Sequence, residues 1–300
     1  IIQNSNTMKQ FILVCTVLAL LFGVPAVSAV DVVATTSVLW DPVSQIGGDD
    51  VHVVYIADPT VCPHLQGDIL PNLIQKHADE LKSPDLFLAH NSSMDTAAMA
   101  AIEKFRDSNG YGKTKWTLLK PDTEWNTPES AEALADTVLG WLKETDPKNA
   151  TTYSENADKY KESIAAVGNL NPAEKDALSK KNAIVMAWQK TPVEKWLGVK
   201  VYDIFAPEFA YGGNKTPAKV VDSIQKNKDK IYALDLVSGG GKMYVIENMQ
   251  SGEMAKGIEE ALTDIAVNNE RITFTNFPKS VDGVNSIPDV LKYNKNLLLA

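Results

Sequence analysis

The chain is poor in the residues on which most catalytic and nucleotide-binding proteins depend. It has two cysteines, four histidines and only two arginines, Arg106 and Arg271, in 300 residues. So few guanidinium groups nearly exclude bidentate clamps for phosphate or carboxylate, which argues against nucleotide and organic-acid sites. Cys15 lies in an apolar N-terminal run; once that run is removed, Cys62 has no disulfide partner and is either a lone thiol or a ligand. Neither Gly-x-Ser-x-Gly nor His-Glu-x-x-His occurs, and Gly239-Gly240-Gly241 lacks the Gly-Lys-Ser/Thr that would make it a phosphate loop. Positive charge is short as well: 29 Lys and Arg face 38 Asp and Glu, a net charge of −9 that disfavours nucleic acid as a partner. No tandem repeat or low-complexity stretch is present.

What is there begins with an export pattern. Met8-Lys9-Gln10 opens a short basic start, Phe11 to Phe22 is an almost unbroken apolar run too short to span a bilayer, and Val27-Ser28-Ala29 supplies small residues at a cleavage site. Residues 1–29 are therefore read as a signal peptide with upstream residues, and the expected location is the outer face of the cell membrane or the periplasm. Failed cleavage would leave a membrane tether instead.

Beyond Val30 the pattern alternates between β-branched apolar runs and helical spacing. Strands are expected at 32–36, 51–56, 85–89 and 116–119, with helices between them. Tyr153, Ala157, Tyr160, Ile164 and Val167 then step by four, three, four and three, which predicts one long amphipathic helix ending at Gly168. The alternation restarts with strands at 183–187, 199–205, 243–247 and 272–274. This predicts an α/β protein of two Rossmann-like lobes with mostly parallel sheets, residues 30–146 and 170–300, joined by a single rigid helix at 147–169. Ligand sites of such sheets lie beyond the carboxyl ends of the strands.

The densest chemistry is the loop Pro59-Thr-Val-Cys-Pro-His64. Two prolines stiffen it, so it can present Cys62 and His64 at small entropic cost, although an ordinary strand-to-helix turn is built the same way. Cys62 supplies a thiolate suited to Zn²⁺ or Cu⁺, or is a small buried filler; His64 is a ligand or a helix-capping histidine. His90 ends a strand and either faces the cleft or caps the next helix. Trp188, Gln189, Glu208 and Tyr211 follow the first two strands of the second lobe and should face the cleft. Glu247 and Asn248 end a later strand and either offer oxygen ligands or cap the helix near Ser251. His52 and His77 read as structural or solvated. Three Asn-x-Ser/Thr sequons, at Asn91, Asn149 and Asn214, read as chance occurrences.

Several segments in this order resemble the zinc/manganese-type solute-binding proteins of ABC transporters. They are Val33-Ala-Thr-Thr-Ser37 followed by Ile46-Gly-Gly-Asp49, the loop ending in Pro63-His64, Trp125-Asn-Thr-Pro128, Asp146-Pro147 through Tyr160, and Ile246-Glu247-Asn248. The resemblance covers nearly the whole mature chain. It implies a non-enzymatic, monomeric binding protein that captures a transition-metal ion, zinc or manganese, between its lobes and delivers it to a permease. It implies His64 as a metal ligand, to which the residue reading adds Cys62 and Glu247 as candidate ligands. Three other family ligand positions carry Thr123, Trp188 and the Asn276-Phe277-Pro278 segment here, which motivates an alternative cargo, a metal chelate or other small molecule. An exported enzyme and an adhesin are weaker alternatives.

Overall fold

The computed structural model describes residues 29–234 and 241–300. The export segment lies outside these residues but for Ala29, as does most of the Gly239–Gly241 turn. Two four-stranded parallel sheets dominate. The first contains β1 (Val30–Ala34), β2 (Val51–Tyr55), β3 (Leu86–Ala89) and β4 (Trp116–Leu118) in the order β2-β1-β3-β4. The second contains β5 (Asn182–Met186), β6 (Lys200–Phe205), β7 (Met243–Asn248) and β8 (Asn269–Phe274) in the order β6-β5-β7-β8. The two share one topology: the second strand pairs on one side of the first and the third on the other, so each has a crevice at the carboxyl ends of its two middle strands.

Helices cover the sheets as the alternation predicts. In the first half these are α1 (Ser37–Gly47), α2 (Leu70–Lys76), α3 (Thr96–Ser108) and α4 (Pro128–Thr145). After the long α5 (Ala150–Gly168) come α6 (Pro172–Ser179), α7 (Pro217–Lys226), α8 (Lys228–Tyr232), α9 (Lys256–Asp264) and α10 (Ile287–Leu299). Between β5 and β6, where the alternation calls for a helix, stands instead a single π-helical turn, Pro192–Trp196. Helices α6 and α8 went unforeseen; α6 carries its own start signal, because Asn171 and Glu174 cap each other's backbone in a capping box.

The 19 residues of α5 run about 30 Å at 1.5 Å each. Its predicted stripe, Tyr153, Ala157, Tyr160 and Ile164, is buried in the core that also holds β1 and α1. Gly168 closes the helix where a Cβ would stand 2.4 Å from Cγ of Pro128, so the backbone approach there needs glycine. A second helix, α10, reaches two cores. Ile287 and Leu291 of α10 belong to the first core, while Leu298 of the same helix belongs to the second. A carboxylate fastens this joint: Asp41 Oδ2 accepts from Tyr160 Oη at 2.6 Å and from the Ile287 backbone N at 2.7 Å. Asp41 is wholly buried, and burial pushes its carboxyl up to about 6. Two helices, one from mid-chain and one from the C-terminal end, thus hold the halves together. Both arginines serve structure: Arg106 donates to the carbonyls of Leu81, Lys82 and Tyr111, and Arg271 pairs with Glu247 and Glu259 at 3.1 Å each.

Candidate metal-binding cleft

The carboxyl ends of both sheets face each other, and the connections that leave them build the cleft. The loop after β2 is held from inside by Gln66, which is buried. Gln66 Nε2 donates to the carbonyls of Asp58 (2.7 Å) and Val61 (2.8 Å), and its Oε1 accepts from the Asp58 backbone N (2.8 Å). From the other half, Gln250 Nε2 donates to the Pro59 carbonyl at 2.8 Å. The loop therefore has little freedom to lose when it binds something.

Held in this way, Cys62 and His64 come together, with Sγ and Nδ1 3.3 Å apart. The intervening Pro63 opens a 3₁₀ turn that brings the two side chains to the same side. The imidazole Nε2 lies 3.1 Å from Ser93 Oγ, which orients the ring and leaves Nδ1 turned to the thiol. Across the cleft the His64 ring meets Phe209 at 5.7 Å, and Phe209 meets Trp188 at 6.4 Å between centroids. Both second-lobe aromatics are open to solvent, Phe209 69% and Trp188 43% exposed.

The other expected site residues fall into separate groups. His90 is buried beneath this surface: its Nε2 is 2.7 Å from Thr36 Oγ1, its ring packs on Trp125 at 5.0 Å, and Asp95 accepts from its backbone N. Burial drives the imidazole down to about 3, so His90 stays neutral. Gln189 is fully buried and donates to Asn276 Oδ1 at 2.7 Å, while Trp125 Nε1 donates to the Asn276 carbonyl at 2.8 Å. Asn276 thus ties the two halves together. Asn248 is buried at its strand end, with no hydrogen-bond partner for Oδ1 among the described residues. Glu208 and Tyr211 are exposed on the loop that carries Phe209.

Glu247 is not brought to the cleft pair. Its Oε1 is taken by Arg271 (3.1 Å) and Thr273 Oγ1 (3.3 Å), and its Oε2 accepts from the Ala255 backbone N (3.1 Å) just before α9. Strand residues alternate faces, and this one points to the helix side, where it caps and pairs. The expected trio of Cys62, His64 and Glu247 is therefore not assembled, and among the described residues no three His, Cys, Asp or Glu side chains are grouped closely enough to hold an ion. Sequence reasoning passed over Phe209, although Glu208 and Tyr211 on either side were singled out, and over Ser93 and Gln66. The turn residues Pro207 and Gly212-Gly213 were the available signal for a loop that displays an aromatic.

Two parallel α/β lobes facing each other across a cleft, braced by a long helix, define the class of two-lobed solute-binding proteins. The family model described as zinc-uptake complex component A, periplasmic, matches residues 32–240. The chain belongs to that family, whose members are periplasmic metal-binding components of metal uptake. The Mn-bound periplasmic metal-binding protein from Candidatus Liberibacter asiaticus has a similar structure: TM-score 0.63, 14% identity, covering 89% of this chain and 97% of that one. Its Cd-bound form gives 0.64 at 13% identity with the same coverage. A crystal structure of ZnuA gives 0.55 at 16% identity, covering 90% of this chain and 99% of that one. At these identities the likenesses concern the fold. Among the described residues no helix is long and apolar enough to cross a membrane.

Proposed function

We propose that this protein captures a transition-metal ion through Cys62 and His64 and hands it to an ABC permease, acting as a monomeric carrier and not as an enzyme. The observation that carries the reading is the 3.3 Å approach of thiol to imidazole on a braced loop at the mouth of the cleft. An ion about 2.3 Å from sulfur and 2.0–2.1 Å from nitrogen would see these two donors at about 100°, close to tetrahedral. Ser93 supports this role, since Nε2–H donating to its hydroxyl fixes the tautomer that frees Nδ1 for the ion. Residues 30–146 and 170–300 act as the jaws and 147–169 as the strut, with α10 as a second brace that keeps hinge motion small.

Cleft residues other than the pair are assigned to walls. Trp188, Glu208 and Tyr211 line the exposed side; His90, Gln189 and Asn248 form the buried polar floor. The test is elemental analysis of natively purified protein, together with thermal shifts in Zn²⁺, Mn²⁺ and Cd²⁺. Metal at 100 times Kd adds about 2.7 kcal/mol of stability. His64→Ala should abolish both the bound metal and the shift; a wild-type protein that carries no metal and shows no shift would end the reading.

A further inference from the structure

We infer that Asn276 and Gln250 form a strap across the cleft that makes closure of the lobes and ordering of the loop at 59–66 a single event. Both are thereby positioning residues for that loop, whatever cargo it takes, and the inference does not depend on the metal-capture reading.

The strap is a continuous chain of hydrogen bonds. It starts beyond β4, one edge strand of the first sheet, where Trp125 Nε1 donates to the Asn276 carbonyl at 2.8 Å. The Asn276 backbone N donates in turn to Gln250 Oε1 at 3.3 Å. Gln250 Nε2 then donates to the Pro59 carbonyl at 2.8 Å, beyond β2, the opposite edge strand of the same sheet. The chain thus leaves the first lobe, passes through residues that follow β7 and β8 in the second, and returns to the first lobe at the other end of the cleft. It ends on the proline that opens the loop of Cys62 and His64. Two neighbouring bonds reinforce its start: Asn126 Nδ2 donates to the Trp188 carbonyl at 3.0 Å, and Thr191 Oγ1 donates to Glu124 Oε1 at 3.1 Å.

Burial makes these links interdependent. Gln250 and Asn276 are both buried; Asn276 Oδ1 also accepts from Gln189 at 2.7 Å, and Gln250 Nε2 also donates to Thr275 Oγ1 at 3.1 Å. A buried amide that loses one partner still bears the cost of its desolvation, so a half-made strap is worse than a whole one or a fully wetted one. Both middle residues ride on the second lobe, and displacement of that lobe at the Trp125 end is therefore passed to the Pro59 end. Gln66 holds the loop to itself, whereas Gln250 holds it to the opposite lobe. Coupling of this kind is reciprocal: a change at either end of the strap has to be felt at the other.

The experiment follows hydrogen exchange by NMR in the metal-free mature chain. The Trp125 indole N–H reports the start of the strap. The backbone amides of Leu65 and Gln66, bonded to the carbonyls of Cys62 and Pro63, report the loop at its end. The Trp40 indole, bonded to the Val53 carbonyl inside the first lobe, is the internal reference. Gln250→Met removes both middle bonds and keeps the length of the side chain; it should speed exchange of the Trp125 indole and of the loop amides by about 10-fold each. Trp125→Phe should speed the loop amides by about 3-fold or more from the opposite end of the cleft. The Trp40 indole should keep its wild-type rate in both variants, which separates unlatching from a general loss of stability. A Trp125 indole unaffected by Gln250→Met, or loop amides unaffected by Trp125→Phe, would reduce the strap to separate contacts and overturn the inference. Should Gln250→Met fail to fold, the loop amides of Trp125→Phe decide alone. A protein that proves to carry no metal would end the metal-capture reading and leave this result untouched.

Discussion

The two lobes share a topology and differ in what they bring to the cleft. From the ends of β2 and β3 the first lobe sends a thiol, an imidazole and the serine that orients it; from the ends of β5, β6, β7 and β8 the second sends aromatic rings and amides. The acidic residue at the end of β7 faces the other way, into an ion pair with Arg271. On the proposed reading, one lobe holds the donors and the other holds the cover. A fold that repeats its sheet order need not repeat its chemistry, because the chemistry is carried by short connections beyond the strands, which change without cost to the sheets.

Breaking that asymmetry tests it. The largest expected effect is at Glu247. Removing a carboxylate that is 4% exposed leaves Arg271, 24% exposed, with Glu259 as its remaining partner, so Glu247→Ala should cost about 3 kcal/mol in denaturant unfolding. Its metal affinity, measured on the folded protein, should match wild type. A large loss of affinity would place a donor in the second lobe and erase the contrast.

Next in size is the joint that holds the lobes. The folded protein keeps a proton on Asp41 up to about pH 6, whereas the unfolded chain releases it in the ordinary carboxylate range near 4. Between those values the native state binds more protons, so this group favours folding at low pH, and its contribution falls as pH rises through the window. Over about two pH units the difference amounts to roughly 3 kcal/mol, undiscounted because Asp41 has no exposure. Asp41→Asn should remove that fall, and comparison of urea midpoints for the variant and wild type at pH 4 and pH 7 measures it. Asp95, also pushed up to about 6 by burial, acts in the same direction, while His90, held neutral down to about 3, opposes both as acid is added.

The smallest effect should come from the cover. Phe209 is 69% exposed, so Phe209→Ala should change stability by less than about 0.5 kcal/mol. It should nonetheless weaken Cd²⁺ binding by about 3-fold through loss of an apolar, cation-attracting wall, worth about 0.5–1 kcal/mol at an exposed site. No change in affinity would reduce the second lobe to a scaffold.

Much of the architecture was written in local patterns. All eight strands overlap the apolar runs that predict them, although β8 starts three residues before its expected beginning, and α5 was legible from five apolar residues at helical spacing, because burial of a single stripe dictates that period. The loop at Cys62 and His64 was legible for a similar reason: two prolines and two candidate donors lie within six residues, whereas the braces that hold them together, Ser93 and Gln250, come from farther along the chain. Glu247 shows where that legibility stops. Sequence marks a carboxylate at a strand end, but strand parity and a guanidinium 24 residues away decide which face it takes. Phe209 shows the same from the opposite side: nothing near it in the chain announces His64, 145 positions earlier.

By itself the sequence determined the alternation of strands and helices, the long helix α5, and the placing of Cys62 and His64 on one stiff loop, since each of these is settled by neighbours a few residues apart. The tertiary structure alone decided that α10 would brace both cores, that Asp41 would be trapped at the joint, that Glu247 would turn inward, and that aromatic rings would stand opposite the thiol. Those outcomes depend on which distant surfaces pack together, and burial, pairing and charge partnership exist only once they have.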